Sequence, residues 1–141
     1  MKIPVVILLS CFSISATGWL TNFDDAQKIA HDKHRLILLN FSGSDWCGPC
    51  IRLKKEIFES KMFEDFADSN LVLVNADFPR QKKHKLSPEL TKSDEALADQ
   101  YNKTGTFPLT LLLDENGNVL KKWEGNPGIK PDEFIASLKA K

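Results

Sequence analysis

The chain has 141 residues, 42% of them hydrophobic, which suffices for one domain with a real core. Nineteen basic residues balance nineteen acidic ones, so the formal net charge is zero and no global field points to nucleic acid or a membrane surface. No internal repeat or low-complexity tract suggests a solenoid or a disordered chain.

The first eighteen residues differ from the rest. Met1-Lys2 is a minimal positive start, Ile3 to Ile14 is largely apolar, and Ser13, Ser15, Ala16 and Gly18 supply small residues. This pattern predicts a secretory signal peptide over 1–18, with cleavage after Gly18, Ala16 or Ser15, and a folded domain over 19–141. The apolar run is too short and interrupted for a good membrane-spanning helix, and the competing reading is a buried N-terminal strand. Leu8-Leu9-Ser10-Cys11 resembles a bacterial lipoprotein box, which makes Cys11 a candidate lipid anchor, although Leu9 stands where a small residue is usual. In either case the domain retains two cysteines, Cys47 and Cys50. One vicinal pair is not a disulfide scaffold, so its expected role is exchange chemistry or metal binding.

Trp19-Leu20-Thr21 reads as a short edge strand. Asn22 is a helix cap, with Asp24 and Asp25 in the first turn and Phe23, Ala26, Ile29 and Ala30 along one face. Leu36–Phe41 is a continuous apolar run of strand length. After the loop Ser42-Gly43-Ser44-Asp45, the pattern of Ile51–Phe58 predicts a helix broken near Glu59-Ser60, and Met62, Phe63, Phe66 and Ala67 continue a helical face. Leu71–Ala76 is a second buried strand, so strand, helix and strand form a parallel βαβ unit. Pro79–Lys85 holds no apolar side chain other than its proline and reads as a solvated basic loop, with binding of an acidic partner as the less favoured reading. Ser87–Leu90 suggests a single turn, and Ser93-Asp94-Glu95 opens a helix ending near Tyr101-Asn102. Leu109–Leu113 and Val119–Trp123 flank an Asn-Gly turn and form an antiparallel hairpin. Pro131 starts a last helix with Phe134, Ile135 and Leu138 buried. The expected class is α/β, a mixed central sheet with helices on both faces.

The chemistry concentrates in Trp46-Cys47-Gly48-Pro49-Cys50, between a buried strand and a helix. Pro49 is tolerated in a first helical turn, where its missing N–H is no loss. Cys47 then lies at the positive end of the helix, where a thiolate is favoured and cysteine pKa values fall to roughly 3.5–7.5. The thiolate is the nucleophile of disulfide exchange, so Cys47 is the expected attacking residue and Cys50 the resolving one. A zinc reading competes: His31-Asp32-Lys33-His34 and the Cys47, Cys50 pair have ligand-like spacing. His31 and His34 sit at a helix end among charged residues, and the favoured reading of that pair is solvated histidines rather than ligands. Asp45 reads as a solvated loop residue, and Tyr101, Trp123 and the helix phenylalanines read as core.

With these residues in place, the segment over about 19–141 resembles the thioredoxin-like family. The resemblance rests on Trp46-Cys47-Gly48-Pro49-Cys50 after a buried strand and on Thr106-Phe107-Pro108-Leu109-Thr110 before the hairpin. The layout is similar to exported bacterial members, including the periplasmic thioredoxin-like domain of the disulfide-reductant transporter. The resemblance implies the thioredoxin fold and an exported, periplasmic thiol:disulfide oxidoreductase. It gives Cys47 and Cys50 as the redox pair and Gly48 and Pro49 as the active-site loop. It gives Trp46, Phe107 and Pro108 as the substrate-binding groove, with Pro108 in the cis form. It also implies no cofactor beyond the disulfide and no metal. The implied partners are protein disulfides or thiols and a membrane or thioredoxin-like electron donor, not nucleic acid. Gly48-Pro49 between the cysteines resembles the reducing members. Two departures stand out: Asn40 replaces the family's buried aspartate, and Leu73 matches the position of its lysine. An amide cannot act as a base, and Glu56 and Asp45 are the acids nearest in sequence. The remaining alternatives are a binding or chaperone module without turnover and a zinc-binding structural domain.

Overall fold

The computed structural model describes residues 18–141. The leader read over 1–18, including Cys11, therefore lies outside the described residues except for Gly18. The elements in chain order are α1 (Phe23–Lys33), β1 (Leu36–Ser42), α2 (Gly48–Leu53), a π-helical turn (Lys54–Phe58), α3 (Lys61–Asn70) and β2 (Leu71–Asp77). They are followed by a 3-10 turn (Lys82–His84), α4 (Pro88–Tyr101), β3 (Leu109–Leu113), β4 (Val119–Glu124) and α5 (Pro131–Lys139).

The sheet order is β2-β1-β3-β4. β1 and β2 are parallel, while β3 runs antiparallel to both β1 and β4. Strand alternation divides the core into two layers. Ile37, Leu39, Phe41, Val72, Val74, Leu109, Leu111 and Leu113 face Ala26 and Ala30 of α1 and Leu97 of α4. Leu38, Leu71 and Leu112 face Leu53, the π turn, α3 and α5 on the other side. The expected mixed sheet with helices on both faces is thus the observed one.

Local chemistry accounts for the helix ends. Asn22 Oδ1 accepts from Asp25 N at 3.0 Å, and Ser60 Oγ accepts from Phe63 N at 3.3 Å to start α3. The π turn accommodates one extra residue between Leu53 and α3, so the adjacent residues Ile57 and Phe58 are both buried. Phe58 packs against Trp19, Phe63 and Phe134 at centroid distances of 4.9, 5.2 and 6.0 Å.

Two local expectations change. Trp19-Leu20-Thr21 is not a strand but a single parallel bridge from Leu20 to Val74, with Leu20 N donating to Leu73 O at 2.8 Å. α4 does not open at Ser93. Ser87 caps it, accepting from Leu90 N at 3.2 Å, and Pro88 occupies the first turn. Asp94, read as a first-turn acid, is therefore mid-helix and 1% exposed.

Candidate active site

Cys47 is the N-cap of α2, and its Sγ accepts from Cys50 N at 3.3 Å. Cys47 and Cys50 form a disulfide with their Cα atoms 5.2 Å apart. Each is 5% exposed, whereas Gly48 and Pro49 between them face solvent. Exposure therefore does not distinguish the two sulfurs; their positions relative to the helix do. The N–H groups of the first turn are without helical partners, and Cys47 Sγ meets one of them. In the reduced state that bond and the helix dipole both favour negative charge on Cys47.

The loop before the pair is tightly built. Cys47 N and Trp46 N donate to Gly43 O at 2.9 and 3.2 Å. A side chain at Gly43 would place its Cβ 2.2 Å from the Trp46 indole, so this glycine permits the indole to fold over the loop. Trp46 Nε1 donates to Phe78 O at 2.7 Å. The Trp46 ring meets Phe107 edge-on at 5.5 Å, and Phe107 meets Phe78 at 5.4 Å. The Phe107–Pro108 peptide is cis. The structure thus brings Phe107, the residue bonded to Pro108, against Trp46 of the cysteine loop.

Asp45 is the main correction. It is not a solvated residue: its side chain is 4% exposed. Its carboxylate accepts from Arg80 N and Gln81 N, each at 2.9 Å, and contacts His84 Nδ1 at 3.0 Å. The bonds from the Arg80 and Gln81 backbone and from His84 hold its pKa below the usual range against the opposing effect of burial. The basic loop is accordingly strapped to the residue two before Cys47. Sequence reasoning missed this because the partners lie 35–39 positions away.

Asn40 is 6% exposed and lies on the same sheet face as Leu38, beneath α2. Its Oδ1 accepts from Thr110 Oγ1 and its Nδ2 donates to Asn75 Oδ1, both at 3.0 Å. Ser42 Oγ reaches both Asn75 Oδ1 and Asp77 Oδ1 at 3.3 Å. Asp77 Oδ1 also accepts from Ser44 N at 3.0 Å. An uninterrupted polar chain runs from Thr110 under α2 to the loop that carries the cysteines. Leu73 does not meet Asn40: the register pairs Leu73 with Leu38 and Asn75 with Asn40. Glu56 is exposed on the outer side of the π turn.

His31 and His34 lie at the C-terminal end of α1, before β1, whereas the cysteines follow β1. The seven-residue strand separates them by about 20 Å. Among the described residues no group of three or more His, Cys, Asp or Glu side chains is arranged to hold a metal. A cleft lined by Trp19, Leu20, Arg35, Phe58 and Leu73 is also at the far end of the strands from the cysteines.

The sequence pattern of the thioredoxin-like domain matches residues 23–141. Over 105 residues the chain is 39% identical to the disulfide bond reductase DsbH of Chlamydia pneumoniae, an alignment covering 73% of this chain and 61% of that protein. The chain thus spans about three fifths of the length of that curated relative. A solved DsbH oxidoreductase structure superposes with a TM-score of 0.75 at 30% identity, covering 88% of this chain and 85% of the other. The oxidised C-terminal domain of DsbD from Neisseria meningitidis shares the fold, with a TM-score of 0.55 at 18% identity and coverage of 82% and 88%. With its matched region including the cysteine loop, the sheet and α5, the chain belongs to the thioredoxin-like family.

Proposed function

We propose that the protein is an exported thiol:disulfide oxidoreductase that reduces or isomerises protein disulfides through Cys47 and Cys50. The observation that carries this reading is the Cys47–Cys50 disulfide at the start of α2, with Cys47 as the helix cap. The similarity to the disulfide bond reductase DsbH supports the same chemistry.

In the reducing direction, the Cys47 thiolate attacks one sulfur of a client disulfide. A Cys47–client bond forms as the client bond breaks, and the client's other sulfur leaves as a thiolate and takes a proton. Cys50 then loses its proton and attacks Cys47 Sγ. The Cys47–Cys50 bond forms, the second client thiol is released, and two electrons have passed from protein to client. The two sulfurs carry those electrons, so this reading needs no cofactor. Trp46, Phe107 and Pro108 form the wall against which the client segment lies, and exposed Gly48 and Pro49 leave room above the pair. A reductase in an oxidising compartment requires a supply of electrons, which assigns the protein a membrane or thioredoxin-like donor. A leader over residues 1–18 accounts for export to the periplasm, and lipidation of Cys11 is the alternative that tethers the domain to a membrane.

The test is client trapping. The Cys50→Ser variant is expected to accumulate mixed disulfides through Cys47, and insulin reduction is expected to fall to background in Cys47→Ser. Equal trapping by Cys47→Ser would reverse the roles, insulin reduction that survives in Cys47→Ser would remove Cys47 from the chemistry, and a wild type that binds insulin without reducing it would leave a binding module. The reduction potential of the pair, measured against glutathione, sets the net direction.

A further inference from the structure

Chain-wide neutrality conceals a local excess. Residues 79–85 contain Arg80, Lys82, Lys83, His84 and Lys85 and no acidic side chain. Asp45 meets the strap, but it spends its carboxylate on two backbone N–H groups and His84. Arg80, Lys82, Lys83 and Lys85 are exposed and form no ion pair among the described residues.

The position of this charge is set by structure. Asp45, two residues before Cys47, fixes Arg80, Gln81 and His84, and Gln81 Nε2 adds a bond to Asp45 O at 3.3 Å. The Arg80 guanidinium lies 3.7 Å from the centroid of the Trp46 ring. The same indole contacts Phe107, the neighbour of Pro108. A cation therefore rests on the wall beside the disulfide, with three lysines beyond it. A solvated loop with no other role does not require a nearly buried carboxylate to hold it there.

We propose that the strap Pro79–Lys85 is a docking surface for an acidic polypeptide segment that carries the client disulfide. The proposal rests on the oxidoreductase reading and adds the chemistry of the client: Asp and Glu residues flanking the reacting cysteines. The partner is a polypeptide because the charge adjoins a site whose reaction consumes a protein disulfide. Complementary charge accelerates encounter and fixes orientation more than it adds affinity, and its effect on exposed groups fades with salt.

The experiment uses the reduced protein and three peptides with one identical disulfide loop, flanked by Glu, Gln or Lys. Single-turnover reduction at low salt is expected to be about tenfold faster for the Glu peptide than for the Lys peptide, with the Gln peptide between. High salt is expected to collapse the spread. A variant carrying Lys82→Glu, Lys83→Glu and Lys85→Glu leaves the Arg80, Gln81 and His84 contacts in place and is expected to invert the order. Its thermal unfolding midpoint checks that it folds. Cysteine-free versions of the peptides, titrated by tryptophan fluorescence, are expected to bind in the same order whether or not turnover occurs. Failure of the wild type to reduce any peptide would overturn the oxidoreductase reading, while the binding order would still decide the surface. Equal rates and equal binding across the peptides, or an order unchanged in the variant, would overturn the docking surface. Binding to phosphatidylglycerol vesicles without discrimination among the peptides would overturn it in favour of a lipid surface.

Discussion

Asn40 shows how one residue reshapes the site's electrostatics. Its amide both donates and accepts, and it uses both capacities in the bonds to Asn75 and Thr110. A carboxylate there could only accept, so Asn75 would have to rotate its amide to meet it. The Asn40→Asp variant places negative charge under α2, where it opposes a thiolate and supplies a base. Cys47 is then expected to ionise at higher pH than in the natural protein, and resolution by Cys50 near neutral pH to accelerate by roughly tenfold. Thiolate absorbance titration and stopped-flow decay of the mixed disulfide measure the two effects. If neither changes, residue 40 is electrostatically uncoupled from the pair.

α4 contributes a buried acid of a different kind. Asp94 Oδ2 accepts from Asp77 N at 3.0 Å, while Oδ1 is buried without a partner. Burial pushes the pKa of Asp94 up to about 6; the bond from Asp77 N opposes the rise and the Asp77 carboxylate adds to it. The folded protein therefore holds this proton more tightly than the unfolded chain does. The stabilisation is complete below the ordinary value of 3.8 and is lost as pH rises through about 6. The decline attributable to Asp94 is expected to reach up to roughly 3 kcal/mol, at about 1.4 kcal/mol per pH unit. Urea unfolding at about pH 4 and about pH 7 is expected to show this decline in the natural protein and not in Asp94→Asn. Equal pH slopes would mean that Asp94 ionises as an ordinary carboxylate does. Because Asp77 also holds Ser42 and Ser44, α4 is linked through one strand end to the loop before Cys47.

Across the whole molecule, the layer beneath the cysteine helix is closed by the last element. Phe134 of α5 is fully buried and packs on Trp123, Phe58 and Phe63 at 5.2, 6.0 and 6.1 Å. Lys121 Nζ on β4 donates to Ser137 O at 2.6 Å, tying the end of the helix to the edge strand. One ring thus joins β4, the π turn and α3. Phe134→Ala is expected to cost about 3–5 kcal/mol of unfolding free energy, since the rigid neighbours only partly fill the cavity. A loss below about 1 kcal/mol in denaturant titration would mean that α5 docks without completing the core.

Sequence alone determined the elements whose signals are local. The apolar runs of β1 and β2, the cap at Asn22, the helix start at Pro131 and the Asn-Gly turn each act over a few residues and are present in the structure. The cysteine motif was legible for the same reason, because a strand end, a three-residue spacing and a helix start specify its geometry. Tertiary structure decided what distant backbone brings together. Nothing near Asp45 indicates burial, yet the free N–H groups of Arg80 and Gln81 recruit its carboxylate once the chain returns along β2. Ser93-Asp94-Glu95 carries the signature of a helix start, but the earlier cap at Ser87 and the end of β2 place Asp94 inside. The counterpart of Asn40 likewise depended on strand register, which pairs it with Asn75. Caps and turns are satisfied by neighbours in the chain, whereas a buried polar group is satisfied by whichever segment packing delivers to it.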